Sequence, residues 1–142
     1  MAPGTDMKSW FVPTVLTLVF FGLWGFFPKI TTRYIDPKSA LVYEVAGGAL
    51  VGLAVLIWIS FKPQVHPVGT FLAVITGIFG FVGALFFLYA ISRGKASIVV
   101  TFSALYPLVV ILLSRFFLDE PITFKQGIGI ALALISMVLF AI

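Results

Sequence analysis

The chain has no cysteine and only one histidine. A disulfide framework, a thiolate metal site and a cysteine nucleophile are therefore excluded. His66 alone cannot supply the ligand set of a histidine metal centre. Charge is scarce as well. Asp, Glu, Lys and Arg make up 10% of the 142 residues, against roughly 25% in an ordinary soluble domain. Linkers, charge runs and low-complexity tracts are missing too. What fills the chain instead is apolar: 61% of residues are hydrophobic. So little polar surface cannot cover so much apolar surface in water, and lipid becomes the expected solvent.

A helix needs about 20 apolar residues to cross the hydrocarbon core. Charges and prolines divide the chain into five such stretches, 10–34, 39–61, 68–92, 96–118 and 123–142. This pattern predicts an all-α integral membrane protein with five transmembrane helices in one domain, 1–142. The connections are short, so sequential helices are expected to be antiparallel neighbours. Asp36-Pro37 ends the first helix and starts the second, because a residue before proline leaves the helical region. Lys62-Pro63 and His66-Pro67 form a polar connector. Arg93-Gly94-Lys95 is expected to be a tight turn, with a glycine that can take positive φ, and Asp119-Glu120-Pro121 precedes the last span. The first apolar run is too long for the core of a signal peptide and lacks a small-x-small cleavage site, so it is expected to remain as a span.

An odd number of spans puts the termini on opposite sides. Lys8, Lys62, Arg115 and Lys125 then fall on one side, and Lys29, Arg33, Lys38, Arg93 and Lys95 on the other, four against five. Orientation follows the imbalance of Lys and Arg between sides. Here the imbalance is one, and it vanishes if Lys29 lies too deep to count as a loop charge. Either local charges near the first helix decide, or copies insert both ways and pair antiparallel. The net charge of +4 requires no nucleic-acid partner, since loops beside anionic headgroups account for it.

Small residues recur at four-residue spacing: Gly48 and Gly52, Gly80 and Ala84, Gly127 and Ala131, Gly129 and Ala133. Such faces let helix backbones approach closely in lipid. Most are expected to serve packing within the chain. The last span, with two adjacent stripes, is the best candidate for a face between protomers.

Lys29 and Glu44 are intramembrane charges, which are costly, usually paired and often on a transport path. With the first turn centred near Asp36, the two lie at similar depth, and a Lys29–Glu44 salt bridge is expected, with Arg33 as a competitor. It would either pin the hairpin or meet substrate. Trp24 lies deep in the first span, within Gly22-Leu23-Trp24-Gly25, and Pro28 frees its carbonyl. Tyr89 and the pair Tyr106-Pro107 repeat the theme, with Ser97, Thr101 and Ser103 adding hydroxyls. An aromatic wall with sparse polar groups suits a small-molecule cavity; the alternative is plain interhelical packing with each hydroxyl bonded to its own helix. Trp10 and Trp58 sit near span ends, as interface residues do. No grouping of residues supports catalysis or a metal site, no cofactor is called for, and Glu120 reads as a cap for the last helix.

Lys95-Ala96-Ser97, Ser103-Ala104-Leu105-Tyr106-Pro107, Phe117-Leu118-Asp119-Glu120 and Gln126-Gly127-Ile128-Gly129 follow one another at a set order and spacing. With Gly22-Leu23-Trp24-Gly25 and Pro28-Lys29 near the start, the chain resembles an EamA-type domain of the drug/metabolite transporter superfamily. The resemblance covers nearly the whole chain and implies a transporter. Most relatives carry two such five-helix units in inverted orientation around a central cavity, so one unit reads as an inverted-repeat half-transporter. An antiparallel homodimer would rebuild that arrangement. The chain is also similar to the four-helix small multidrug resistance proteins, but it lacks their acid on the first span, and their proton-coupled export is not carried over.

The expected function is transport of small organic metabolites by alternating access. The expected agent is a homodimer, antiparallel on the charge balance, in the cell's inner (plasma) membrane. Trp24, Lys29, Glu44, Tyr89 and Tyr106 are the expected substrate-binding residues. The alternatives are a non-transporting structural or regulatory subunit and a carrier of lipid-linked substrates. A single cysteine placed at Lys62 tests the topology, because the native chain has none to interfere. Dual insertion predicts that an impermeant maleimide labels about half the molecules from outside intact cells; labelling of all or none means one orientation.

Overall fold

The computed structural model describes residues 7–141 and contains helices but no strand among them. The elements are α1 (Met7–Thr31), α2 (Pro37–Trp58), α3 (Pro67–Arg93), α4 (Ala96–Ser103), α5 (Tyr106–Phe117) and α6 (Phe124–Ala141). Four segments are long and apolar enough to cross a membrane: Trp10–Thr31, Pro37–Trp58, Pro67–Arg93 and Ala96–Phe117. The protein is therefore an all-α integral membrane protein. The fifth expected span is α6, whose stretch Phe124–Ser136 is a shorter apolar helix; its expected end, Ile142, lies outside the described residues, as does the side chain of Lys8.

Local chemistry sets the boundaries. Asp36 caps α2: its carboxylate accepts the amides of Lys38 at 2.9 Å and Ser39 at 3.2 Å and the Ser39 hydroxyl at 2.5 Å. Pro37 follows in the first turn, where a missing amide costs nothing. At the other end of α2, Ser60 and Phe61 adopt φ of 55° and 57°. Phe61 then donates its amide back to the Leu56 carbonyl at 2.9 Å, a left-handed closure that satisfies carbonyls the helix leaves open. His66 starts α3 by accepting the Gly69 amide on Nδ1 at 3.3 Å.

Three expectations change. No described glycine has a positive φ; the third positive value falls on Asp119, at 52°. Gly94 therefore turns the chain without it, because Lys95 in extended conformation already redirects the backbone into α4. The 96–118 span is two helices, broken at Ala104 and Leu105. Pro107 enters the first turn of α5 and lacks the amide that would bond the Ser103 carbonyl. Leu108 bonds Leu105 at 2.9 Å instead of the carbonyl four residues back. The cap of α6 is not Glu120. Thr123 and Gln126 form a reciprocal box, the Gln126 amide oxygen accepting the Thr123 amide at 2.8 Å and the Thr123 hydroxyl accepting the Gln126 amide at 3.3 Å.

The chain divides into two compact units, Met1–Ser92 and Arg93–Ile142. In the first, the buried residues Ala40, Ala84, Phe87, Leu88 and Ile91 lie where the end of α1, the start of α2 and the second half of α3 meet. Gly48 gives α2 a close approach to α3: a Cβ there would lie 3.2 Å from the ring of Phe81. Gly52, Gly80, Gly127 and Gly129 would place a Cβ in open space. In the second unit α4 packs against α6.

The Asp36 cap carries a pH signature. The Ser39 hydroxyl, with the amides of Ser39 and Lys38, holds the Asp36 carboxyl below its ordinary value. A carboxyl lowered on folding stabilises the fold fully above its unfolded pKa, about 4, and that contribution disappears as pH falls through the folded value. Thermal melts of the detergent-solubilised protein between pH 6 and 2 should show this loss, and Asp36→Ala should lower the melting temperature at pH 6 and flatten the dependence below pH 4.

Candidate functional site

In the first unit α1 ends at Thr31 and α2 begins at Pro37, so the hairpin folds about residue 34. Residues equally far from that point come level. Trp24 lies ten residues before it and Glu44 ten after, and the indole Nε1–H of Trp24 donates to Glu44 Oε1 at 2.5 Å. The expected partner, Lys29, sits five residues further along α1, about 7.5 Å beyond that level. Its ammonium instead donates to the Ile91 carbonyl at 2.8 Å. The expected Lys29–Glu44 salt bridge is thus replaced by two bonds, because a turn centred near Asp36 placed the levels several residues too far along α1.

Each bond ties two helices. Trp24 joins α1 to α2 through Glu44, and α1 to α3 by stacking on Phe87, with ring centroids 5.1 Å apart and planes 22° from parallel. Such a stack contributes about 0.5–1.5 kcal/mol beyond the burial of its area. Lys29 binds a carbonyl in the last turn of α3, where the helix dipole favours a cation. Because Trp24 meets Phe87 and Lys29 meets Ile91, α1 and α3 run in the same direction. That is what two antiparallel steps require.

A recess of about 250 Å³ opens beside this junction. Trp24, Phe27, Thr31, Tyr43, Glu44 and Leu88 line it, and Ala40 and Pro28 complete the wall. Glu44 lies seven residues into α2, about 10 Å along the helix axis. Its carboxylate offers about four acceptor positions, of which the indole takes one. The floor is small and buried, Ala40 being 4% and Leu88 2% exposed, so a ligand could approach the carboxylate along an apolar, partly aromatic surface.

The other expected site residues stand elsewhere. Tyr89 is half-buried on α3, one residue past Leu88 and outside the lining of the recess; its carbonyl accepts the Ser92 hydroxyl at 2.8 Å. Tyr106 opens α5 in the second unit and is exposed. Thr101 and Ser103 bond the carbonyls of Ser97 and Val99 on their own helix, at 2.7 and 2.8 Å, so these hydroxyls serve their helix rather than a cavity. Tyr43 and Phe87 were missed. Tyr43 could have been found as a polar aromatic beside an intramembrane acid; nothing in the sequence singles out Phe87 among sixteen phenylalanines. Among the described residues no group of His, Cys, Asp and Glu could hold a metal ion.

Lys29→Met separates strut from site. A hydrogen bond from a charged donor contributes roughly 1.5–3 kcal/mol, so equilibrium unfolding should show a stability loss of about that size. A loss below about 0.5 kcal/mol would mean that the Lys29–Ile91 bond holds nothing together.

Comparison with known proteins gives the geometry its context. Residues 8–142 match the model of the EamA-like transporter family. An uncharacterized protein of Methanocaldococcus jannaschii is 33% identical over 131 residues, which cover 90% of this chain and 93% of that protein. An uncharacterized transporter of Archaeoglobus fulgidus is 30% identical over 141 residues, 95% of this chain but 48% of its own length. The chain thus spans nearly all of the first relative and about half of the second. No solved structure matches. With four long apolar spans and a family match over almost its whole length, the chain is a membrane transporter rather than an enzyme, and it belongs to the EamA-like transporter family.

Proposed function

We propose that the chain moves small organic metabolites by alternating access, and that the recess beside Trp24 and Glu44 is where its first unit meets them. One observation carries this reading: an acidic side chain well inside a membrane span borders an open recess and is held by a single indole N–H. A purely structural acid at that depth would be expected to sit in a sealed pair. Here the carboxylate keeps acceptor capacity for a donor group on the substrate, and Trp24, Phe27 and Tyr43 offer flat apolar surface for the rest of the molecule. Lys29 acts as a strut between α1 and α3, and its movement would couple the site to the end of α3. Tyr89 and Tyr106 are proposed to meet substrate only in another state of the transport cycle.

The working unit in this proposal is an antiparallel homodimer in the plasma membrane, with rocking of the protomers exchanging access. Support comes from the near balance of Lys and Arg between the two sides and from the longer Archaeoglobus transporter, of which this chain matches about half. Open space at Gly127 leaves the Gly127–Ala131 stripe of α6 available for a partner helix.

Vesicles reconstituted with the purified protein should take up at least one solute from a panel of amino acids, amines and sugars. Glu44→Gln should cut that flux about tenfold or more, the loss implied by weakening one charge-assisted bond, while the helical circular dichroism stays unchanged. Flux equal to that of the parent chain would remove Glu44 from the site.

A further inference from the structure

The second unit contains a larger recess with a different chemistry. Its volume is about 370 Å³, within the range of small-molecule sites. Leu105, Leu108 and Ile111 form one wall, Ile130 and Ala133 on α6 the other, and Glu120 closes one end. From Gln126, in the first turn of α6, to Ala133 is seven residues, about 10 Å along the axis. The acidic end therefore lies at the helix ends, where loops meet headgroups, and the apolar remainder runs toward the hydrocarbon.

Glu120 is spare in this fold. The Thr123–Gln126 box caps α6 without it. The neighbouring cation, Arg115, is engaged with Asp119 at 3.8 Å. Among the described residues the Glu120 carboxylate takes neither a hydrogen bond nor an ion pair. Only its backbone is used, the amide donating to the Ser114 carbonyl at 3.4 Å. Gly129 on the α6 wall would place a Cβ in open space, so the recess has unused width along its length.

We propose that this recess binds an amphiphile with an alkylammonium head, the ammonium on the Glu120 carboxylate and the chain against the apolar walls. The charge selects the head: an ammonium makes a charge-assisted bond there, whereas an anionic head meets the like charge of Glu120. The geometry selects the tail, since the wall side chains beyond Gln126 are all apolar. The site is built from residues of the second unit alone. An amine-headed membrane lipid and a free alkylamine share this chemistry.

The test is native mass spectrometry of the full-length, delipidated protein in detergent. It is titrated separately with dodecylammonium, phosphatidylethanolamine and phosphatidylglycerol. At least one amine-headed ligand should bind saturably, about tenfold or more tighter than phosphatidylglycerol. Saturation by phosphatidylethanolamine alone identifies the lipid as the source, and saturation by dodecylammonium alone identifies a free amphiphile. Glu120→Gln should weaken the binding about tenfold by removing the charge. Gly129→Leu should do the same by filling the recess with the carboxylate intact, and it carries the test if Glu120→Gln does not fold. Absence of saturable amine binding overturns the proposal. So does binding by phosphatidylglycerol as tight as by the amines, or binding unchanged in the folded variants.

Discussion

A polar group inside hydrocarbon has no water to fall back on, so every backbone and side-chain donor must find its acceptor within the chain. Most of this protein follows from that constraint. The backbone satisfies it by being helical wherever it crosses. Hydroxyls satisfy it locally: Thr14, Thr17, Thr32 and Thr76 each donate to the carbonyl four residues back, at 2.8 to 2.9 Å. Among the described residues no buried side-chain polar atom lacks a partner. Against that background the few polar groups that bond between helices stand out, and they are concentrated where α1, α2 and α3 meet. Trp24 and Lys29 each donate to another helix, and the largest fully buried side chains among the described residues, Leu88 and Ile91, lie beside them.

That junction is small, and the rest of the surface is apolar. Trp58, at the end of α2, is 85% exposed, and Phe86 on α3 68%, as suits side chains facing lipid or headgroups rather than a core. With so little burial, the first unit depends on a handful of specific contacts more than on a hydrophobic interior. A transporter gains from this economy. Helices that meet at one end, through two hydrogen bonds and a ring stack, can rearrange without dismantling a core.

Much of this was legible in the chain. Prolines and the Asp36 cap marked the helix starts, because each removes or satisfies an amide at a defined place. Intramembrane charge and the unusual depth of Trp24 pointed to the junction where Trp24 and Glu44 meet. What the sequence withheld was azimuth and fine register. Depth along a helix follows from counting at 1.5 Å per residue, but a shift of two residues in the centre of the turn exchanges Lys29 for Trp24 as the partner of Glu44. Capping was similarly ambiguous before α6. Glu120 and the Thr123–Gln126 pair both carry the right groups, and only the pair stands at the right spacing from the first helical turn. Tyr106-Pro107 announced a disturbance, yet the break falls at Ala104 and Leu105, because proline is tolerated just inside a new helix and not in the body of an old one.

The break between α4 and α5 bears on how the protein spans the membrane. With eight and twelve residues, the two pieces are about 12 and 18 Å long, and neither reaches across a hydrocarbon core of about 30 Å. Together they form a 22-residue apolar segment that does. Spanning length therefore rests on the hydropathy of Ala96–Phe117 taken as one stretch, whereas its final shape rests on Pro107, which removes one amide from the run.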